Sequence, residues 1–388
     1  MTTKRVISVC CFLFVCVFAN AQFYYQDSKN SQMLRPLKRQ QICRKEIILP
    51  QVNGYNVYKA DLHTHSVFSD GQVLPKYRIN EAWLEGLDVI AVTEHIEYRP
   101  SEATFHDYLK KYTDKKLLSG VKAFEDGEQW VDLNYSVKEA QKVASKYGVT
   151  VIPGTEITRS GEKVGHFNAL FTTDNNFIYD PDPVQSLRNA KAQNALVMHN
   201  HPGWRRTSLD YTPTEKAAYD EGLIDGVEVV NGSEVYPLII DRVQEKGLFI
   251  AANSDIHAST AETYGVLGEH RPMTLIFAKD NSLDSLREAL ESGRTLAYAH
   301  NTLFGDESLL IDFFMASIEV IEIGEEIIQL TNKSSVPYVL QKKGNNQRCL
   351  DAFSTIRVNI GKGRKTLSFS VLNMWSGSEK HPVMKLSW

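Results

Sequence analysis

His63 and His65 flank a threonine in ADLHTHSVFSDG, and Asp70 follows just before a glycine. The same residue types recur down the chain: His95 in TEH, Glu156 in GTEIT, His166 in GHFN, His199 and His201 in MHNHPGW, Asp255 and His257 in SDIH. These motifs hold most of the 11 histidines. The donors are nitrogen and oxygen without sulfur, a set that suits Zn, Mn or Fe. A structural zinc takes only four ligands, so this many donors point to two or three divalent ions. With Asp70, Glu156 and Asp255 ionised and the imidazoles neutral, two such ions leave a charge of about +1 and three about +3. Either way the loaded site attracts an anion. Isolated histidines such as His106, His270, His300 and His381 read instead as surface or hydrogen-bonded residues. Asp70 in SDG fits a turn as well as a ligand, and both readings stand at this point.

Strands must present these donors. Side chains alternate along a strand, so His63 with His65, His199 with His201, and Asp255 with His257 are expected to share a face. In DVIAVTEH, His95 falls on the face of Val89, Ala91 and Thr93, which leaves Glu94 as a supporting or helix-facing carboxylate. Apolar strands alternate with amphipathic segments. PKYRINEAWLEGL reads as a helix with Pro75 in its first turn and Gly86 at its end. SVKEAQKVASKYG carries a capping-box pattern in Ser136 and Glu139, and TPTEKAAYDEG repeats it with Thr212 and Glu215. Near-continuous Val, Ile and Ala runs between helices indicate a parallel sheet covered on both faces. About seven such units fit a closed barrel, with its chemistry at the C-terminal mouth. Past residue 305 the pattern becomes short strands separated by turns with no clear helix, which predicts a small antiparallel β domain. The stretch from Glu97 to Asn134 is long for a connecting loop and reads as a lid or substrate wall.

The chain has 388 residues, 43% hydrophobic and 23% charged, with a net charge of −4. That composition suits a globular protein without a basic nucleic-acid groove. The first residues, with Lys4 and Arg5, an apolar run and Ala19-Asn20-Ala21, form a secretory signal pattern too short for a comfortable membrane span. A lipid anchor at Cys16 competes with it, although bulky Val15 precedes that cysteine. Three of the five cysteines fall in this segment, leaving Cys43 and Cys349 as a disulfide or as free thiols. The expected organisation is a signal over 1–21, a linker over 22–49, the barrel over 50–304 and the β domain over 305–388. The expected location is secreted or periplasmic.

The ordered set DLHTHSVFSDG, TEH, GTEIT, GHFN, NHPGW and SDIHA resembles the motifs of the PHP (polymerase and histidinol phosphatase) superfamily over residues 50–300. TEHIEYRP, GTEIT and HNHPGW behind a secretion signal are similar to a secreted bacterial phosphodiesterase branch. The resemblance implies a distorted (β/α)7 barrel that hydrolyses phosphate esters with two or three metals. It implies that His63, His65 and Asp255 hold a first metal and that Glu156 bridges it to a second. His166 and His201 would hold the second, and Asp70, His95 and His257 a third. Three features depart from the pattern: Glu94 stands where many members have Asp, His199 is an addition, and the Glu97–Asn134 segment is longer than usual.

Metal-assisted attack of water on phosphorus is the reaction this implies. His199 is the expected general acid for the leaving group, and Arg205 or Arg206 the grip on a phosphate oxygen. The expected substrate is a small phosphodiester rather than long nucleic acid, with a phosphomonoester as the alternative. An amidohydrolase also begins with H-x-H but would want a strand-end lysine. A non-catalytic secreted metal- or glycan-binding protein is the remaining alternative.

Overall fold

The computed structural model describes residues 25–27, 29–30, 32–36, 43–101, 132–158, 163–266, 268–342 and 346–388. The expected signal, Cys16 and most of the Glu97–Asn134 segment lie outside the described residues. The chain divides into two units, Met1–Arg44 and Lys45–Trp388. In the first, Tyr25–Asp27 pairs antiparallel with Leu34–Pro36. In the second, Ile47 and Leu49, at the end of the expected linker, pack against the core. Cys43 and Cys349 are both exposed free thiols.

Seven strands build the barrel: β1 (Asn56–Asp61), β2 (Val89–Val92), β3 (Thr150–Thr158), β4 (His166–Leu170), β5 (Leu196–Asn200), β6 (Gly226–Asn231) and β7 (Phe249–Asn253). They hydrogen-bond in chain order. β1 carries on into β8 (Met273–Ala278), β9 (Thr295–Ala299) and β10 (Thr302–Gly305), which run antiparallel. The barrel closes only at its mouth, where extensions of β1 and β7 meet through Asp255 N to His63 O at 3.0 Å and His65 N to Ile256 O at 3.2 Å. Below that seam, threonine hydroxyls stand in for the missing ladder. Thr274 Oγ1 accepts from Ala252 N at 3.1 Å, and Thr295 Oγ1 accepts from Ile250 N at 3.1 Å. Buried backbone groups need such partners.

The expectation of an all-parallel barrel is corrected at β4, which runs antiparallel to both β3 and β5. The connection over 159–165 is too short for a parallel crossover, which needs a dozen or more residues. The reversal puts the start of β4, with His166, at the mouth.

The helices are α1 (Pro75–Leu84), α2 (Tyr135–Ala144), α3 (Pro183–Ala192), α4 (Pro213–Asp220), α5 (Pro237–Lys246) and α6 (Leu283–Glu291). α4 carries its expected capping box: Thr212 Oγ1 accepts from Glu215 N, and Glu215 returns a bond to Thr212 N. The box expected on α2 does not form. That helix begins at Asn134, and Ser136 is buried inside its first turn. Asn134 is held instead by Asp174 and by the backbone of Asn175, so tertiary contacts fix the start. The barrel interior is filled by Ala60, Leu62, Ala91, Ile152, Met198 and Phe249, while Phe167, Val197 and Val229 face outward among α3, α4 and α5.

Beyond the barrel, β11 (Ile318–Gly324), β12 (Ile327–Asn332) and β15 (Thr355–Asn359) form one antiparallel sheet. β13 (Tyr338–Gln341), β14 (Arg348–Leu350), β16 (Thr366–Val371) and β18 (Val383–Ser387) form a second. β17 (Met374–Trp375) pairs with β10. The antiparallel expectation holds, but the reading of no helix past 305 is corrected by α7 (Glu307–Ser317). Asp306 caps it through Leu309 N, and Leu310, Phe313 and Phe314 lie fully buried in the core shared with the sheets. Its apolar residues surround the helix, so no amphipathic stripe marks it.

Candidate metal centre

The donors gather at the mouth because the strand ends are irregular there. His201 and Asp255 adopt positive φ, 25° and 51°, just past the ends of β5 and β7. Asp70 rides a loop folded back on His65: Gly71 N donates to Ser66 O at 2.9 Å. A Cβ on Gly71 would stand 2.8 Å from the backbone of His65 and Ser66, so only glycine fits. Glu94 ties down the same loop, accepting from Ser66 N, Ser66 Oγ and Ser69 Oγ. It is buried and outside the donor cluster, as its strand face implied.

The structure brings together all nine residues expected as ligands. His63 Nε2 and His65 Nε2 face each other at 3.1 Å, with Asp255 Oδ1 at 3.3 and 3.0 Å from them. Glu156 Oε1 lies 3.6 Å from His63 Nε2, 3.2 Å from His166 Nδ1 and 3.7 Å from His201 Nε2. Asp70 Oδ1 lies 3.4 Å from His95 Nε2 and 3.1 Å from His257 Nε2. Donor atoms in three groups lie within 4.8 Å of one another: His63–His65–Asp255, His63–Glu156–His201, and His65–Asp70–His95–His257.

Electrostatics and bonding fit cations in this place. Asp70 Oδ1, Glu156 Oε2 and Asp255 Oδ1 are buried without a directed hydrogen bond, a costly state unless something positive sits beside them. Two imidazole nitrogens facing each other cannot both donate. An all-nitrogen-and-oxygen donor set that meets both conditions is one divalent metals complete. Burial opposes charge on Glu156, yet His95 and His63 hold its carboxyl well below the usual range. Burial likewise opposes charge on His95, but Glu156 and Asp70 push it up to about 10. His65 is pushed down to about 3 by burial, with His95 adding to the effect.

Sequence reasoning does not single out several supporting residues. Glu228 on β6 is fully buried; its Oε1 lies 2.9 Å from His63 Nδ1, and its Oε2 accepts from His201 N at 2.7 Å. A carboxylate on the far nitrogen of a ligand imidazole fixes its tautomer and ring orientation. Asn200 donates to Glu156 Oε1 at 3.0 Å. From α1, Arg78 donates to the carbonyls of His65, Ile256 and His257, clamping two donor loops together. A Glu at the third position of the buried strand GVEVVN is the one available hint of Glu228.

Two expectations require correction in place. His199 does not share a face with His201. It sits with Val197 on the outer face of β5, stacked on Phe167, with Nε2 3.0 Å from Glu215 and Nδ1 3.1 Å from Tyr219 Oη. The rule of alternation fails because the strand ends at Asn200 and His201 turns with positive φ. Both ring nitrogens are engaged away from the mouth, so His199 has no path to a leaving group. Arg205 is exposed, and its guanidinium carbon lies 4.4 Å from the Trp204 ring centroid. Trp204 in turn borders His166 and His201, 5.4 Å from each ring. Arg206 is spent on Glu215, at 2.5 Å.

A seven-stranded barrel with this many imidazoles and carboxylates at its mouth defines a metal-site hydrolase fold. The PHP domain family model matches residues 61–365, and the chain belongs to that family. A two-domain protein from Bacteroides vulgatus containing a predicted PHP-like metal-dependent phosphoesterase is similar at 34% identity and a TM-score of 0.77, over 89% of this chain and 99% of that one. The lesion-specific endonuclease PfuEndoQ from Pyrococcus furiosus is a distant likeness at 20% identity and a TM-score of 0.40, over 65% of this chain and 59% of that one. An amidohydrolase from Chromobacterium violaceum is another at 15% and 0.34, over 53% and 89%. No curated protein matches the chain.

Proposed function

We propose that this protein is an exported metal-dependent phosphoesterase that cleaves small phosphodiesters. The observation that carries the reading is the convergence of three ionisable carboxylates and six imidazoles on one barrel mouth. His63, His65 and Asp255 would hold a first metal, and Glu156, His166 and His201 a second. Asp70, His95 and His257 would hold a third, with His65 also close. Divalent ions, Mn, Zn or Fe, supply Lewis acidity toward a phosphoryl oxygen and a water when bound. Glu228 and Asn200 hold the donors in orientation, and Glu94 and Arg78 fix the loops that carry them. Trp204 walls one side of the mouth beside His166 and His201.

Export rests on the basic, apolar and Ala-x-Ala pattern of residues 1–21. Among the described residues no helix is long and apolar enough to cross a membrane. The acidic balance of the chain favours small substrates over long nucleic acid.

The test is hydrolysis of bis(4-nitrophenyl) phosphate against 4-nitrophenyl phosphate by protein loaded with Mn or Zn. Faster turnover of the diester is expected. Faster monoester turnover would make it a phosphatase, and His63→Ala with full metal content and activity would refute the site.

A further inference from the structure

A cavity of about 720 Å³ opens beside the donor cluster, lined by Lys163, Arg205, Arg206, Asp210 and Thr212 among others, and by none of the nine candidate ligands. Its walls are built on one buried hub. Glu215, fully buried, bonds His199, Arg206 and Thr212 N. Thr212 Oγ1 reaches Val164 O at 3.1 Å, which fixes the wall carrying Lys163. Gly203 lets the opposite wall pack down: a Cβ there would stand 2.5 Å from the Tyr236 ring. That wall projects Trp204 and then Arg205, which is held at a φ of 55°, an uncommon conformation for a long side chain. Backbone held in a sparsely populated region by its surroundings is characteristic of ligand clamps.

The charges are unequally spent. Arg206 is neutralised by Glu215, while Asp210 keeps its charge and accepts from the Ser208 hydroxyl. Lys163 and Arg205 have no carboxylate partner among the described residues. Trp204 has the Arg205 guanidinium on its ring and His166 and His201 beside it, so it joins the cavity to the cluster as a pillar. Arg205 therefore stands one aromatic ring away from the donor cluster, and Lys163 lines the same cavity.

We propose that this cavity is a subsite for a second anionic group of the substrate, a phosphate or a carboxylate, gripped by Arg205 and Lys163. The substrate class becomes a phosphoester that carries another anion on one of its alcohol moieties. This rests on the phosphoesterase reading for where the first phosphoryl group sits.

Binding to the Mn-loaded full chain tests it without turnover. The probes, measured by calorimetry, are a graded series of alkane bisphosphonates, the matching alkylphosphonates and the matching phosphonoalkanoates. The best bisphosphonate should bind roughly tenfold more tightly than its monophosphonate. Arg205→Ala and Lys163→Ala should each collapse that ratio toward one, and Arg205→Lys should restore part of it. A phosphonoalkanoate that equals the bisphosphonate assigns the subsite to carboxylates; one that trails it assigns phosphate. Equal binding of mono- and bisphosphonates overturns the proposal. So does a preference that survives both alanine substitutions, because the second phosphonate then sits on the metals. If neither nitrophenyl ester is cleaved but the ratio behaves as expected, the reaction reading fails and the subsite stands.

Discussion

Glu228 Oε1 lies 2.9 Å from His63 Nδ1, while the other nitrogen of the same ring points at His65 and Asp255. One buried carboxylate thus sets the tautomer of a candidate ligand and, through His201 N, the turn that carries another. Glu228→Gln should lower metal affinity by roughly 10–100-fold, the range seen when such partners are removed. Competition against a calibrated chelator measures it. Wild-type affinity in the variant would show that the ring needs no such support.

Metal uptake should strengthen as pH rises. In metal-free protein the imidazole of His95 is pushed up to about 10, where Glu156 and Asp70 outweigh the opposing burial. A ligand imidazole must be neutral, so a metal that enters at His95 displaces a proton. The sign follows: affinity rises through the neutral range by up to about tenfold per pH unit for each proton displaced. Protons released on adding Mn to weakly buffered protein count them directly. No release near pH 7 would contradict the assignment of His95.

Asp70 depends on the tight loop beneath it. Gly71→Ala places a Cβ against the backbone of His65 and Ser66. The expected cost is about 1–3 kcal/mol of stability from overpacking, with a drop in bound metal per chain as Asp70 moves from His95 and His257. Metal analysis beside a urea titration separates the two effects. Unchanged metal content would remove Asp70 from the ligand set.

The hub under the neighbouring cavity should be structural. Burial opposes charge on Glu215, yet the hydrogen bonds from His199 and Arg206 push its carboxyl down to about 2. A depressed carboxyl stabilises the fold above its unfolded pKa and loses that contribution as pH falls through the folded value. Stability should therefore decline between about pH 4.5 and 2 more steeply in wild type than in Glu215→Gln. Glu215→Ala, which takes the carboxylate partner from Arg206 and His199, should cost about 3–5 kcal/mol in urea unfolding. His199→Phe should also destabilise while leaving the shape of the pH–rate profile intact. Loss of the alkaline limb in that variant would return His199 to the role of proton donor.

The order and identity of the donors could be read in the sequence because ligand chemistry is written in residue types. Glu94 could be placed off the cluster because alternation carries on past β2, where Glu94 and His95 still pair with Glu156 on β3. The same rule misplaced His199, because β5 stops one residue later and His201 turns with positive φ. Helix α7 escaped notice because apolar residues lie on its exposed face too, Met315 among them, so no stripe stands out.

What the sequence by itself determined is the inventory: histidines and acids at successive strand ends, the capping box of α4, and a barrel followed by antiparallel sheets. Those features depend on neighbours a few residues apart, and local backbone geometry fixes them. Only the tertiary structure decided that β4 runs backward and brings His166 to the mouth. It also decided that Glu228 reaches His63 across 165 positions of chain, and that Thr274 and Thr295 complete the open seam. Each of these is a contact between distant segments. Its partner is chosen by how the closed barrel packs, and no local periodicity carries that information.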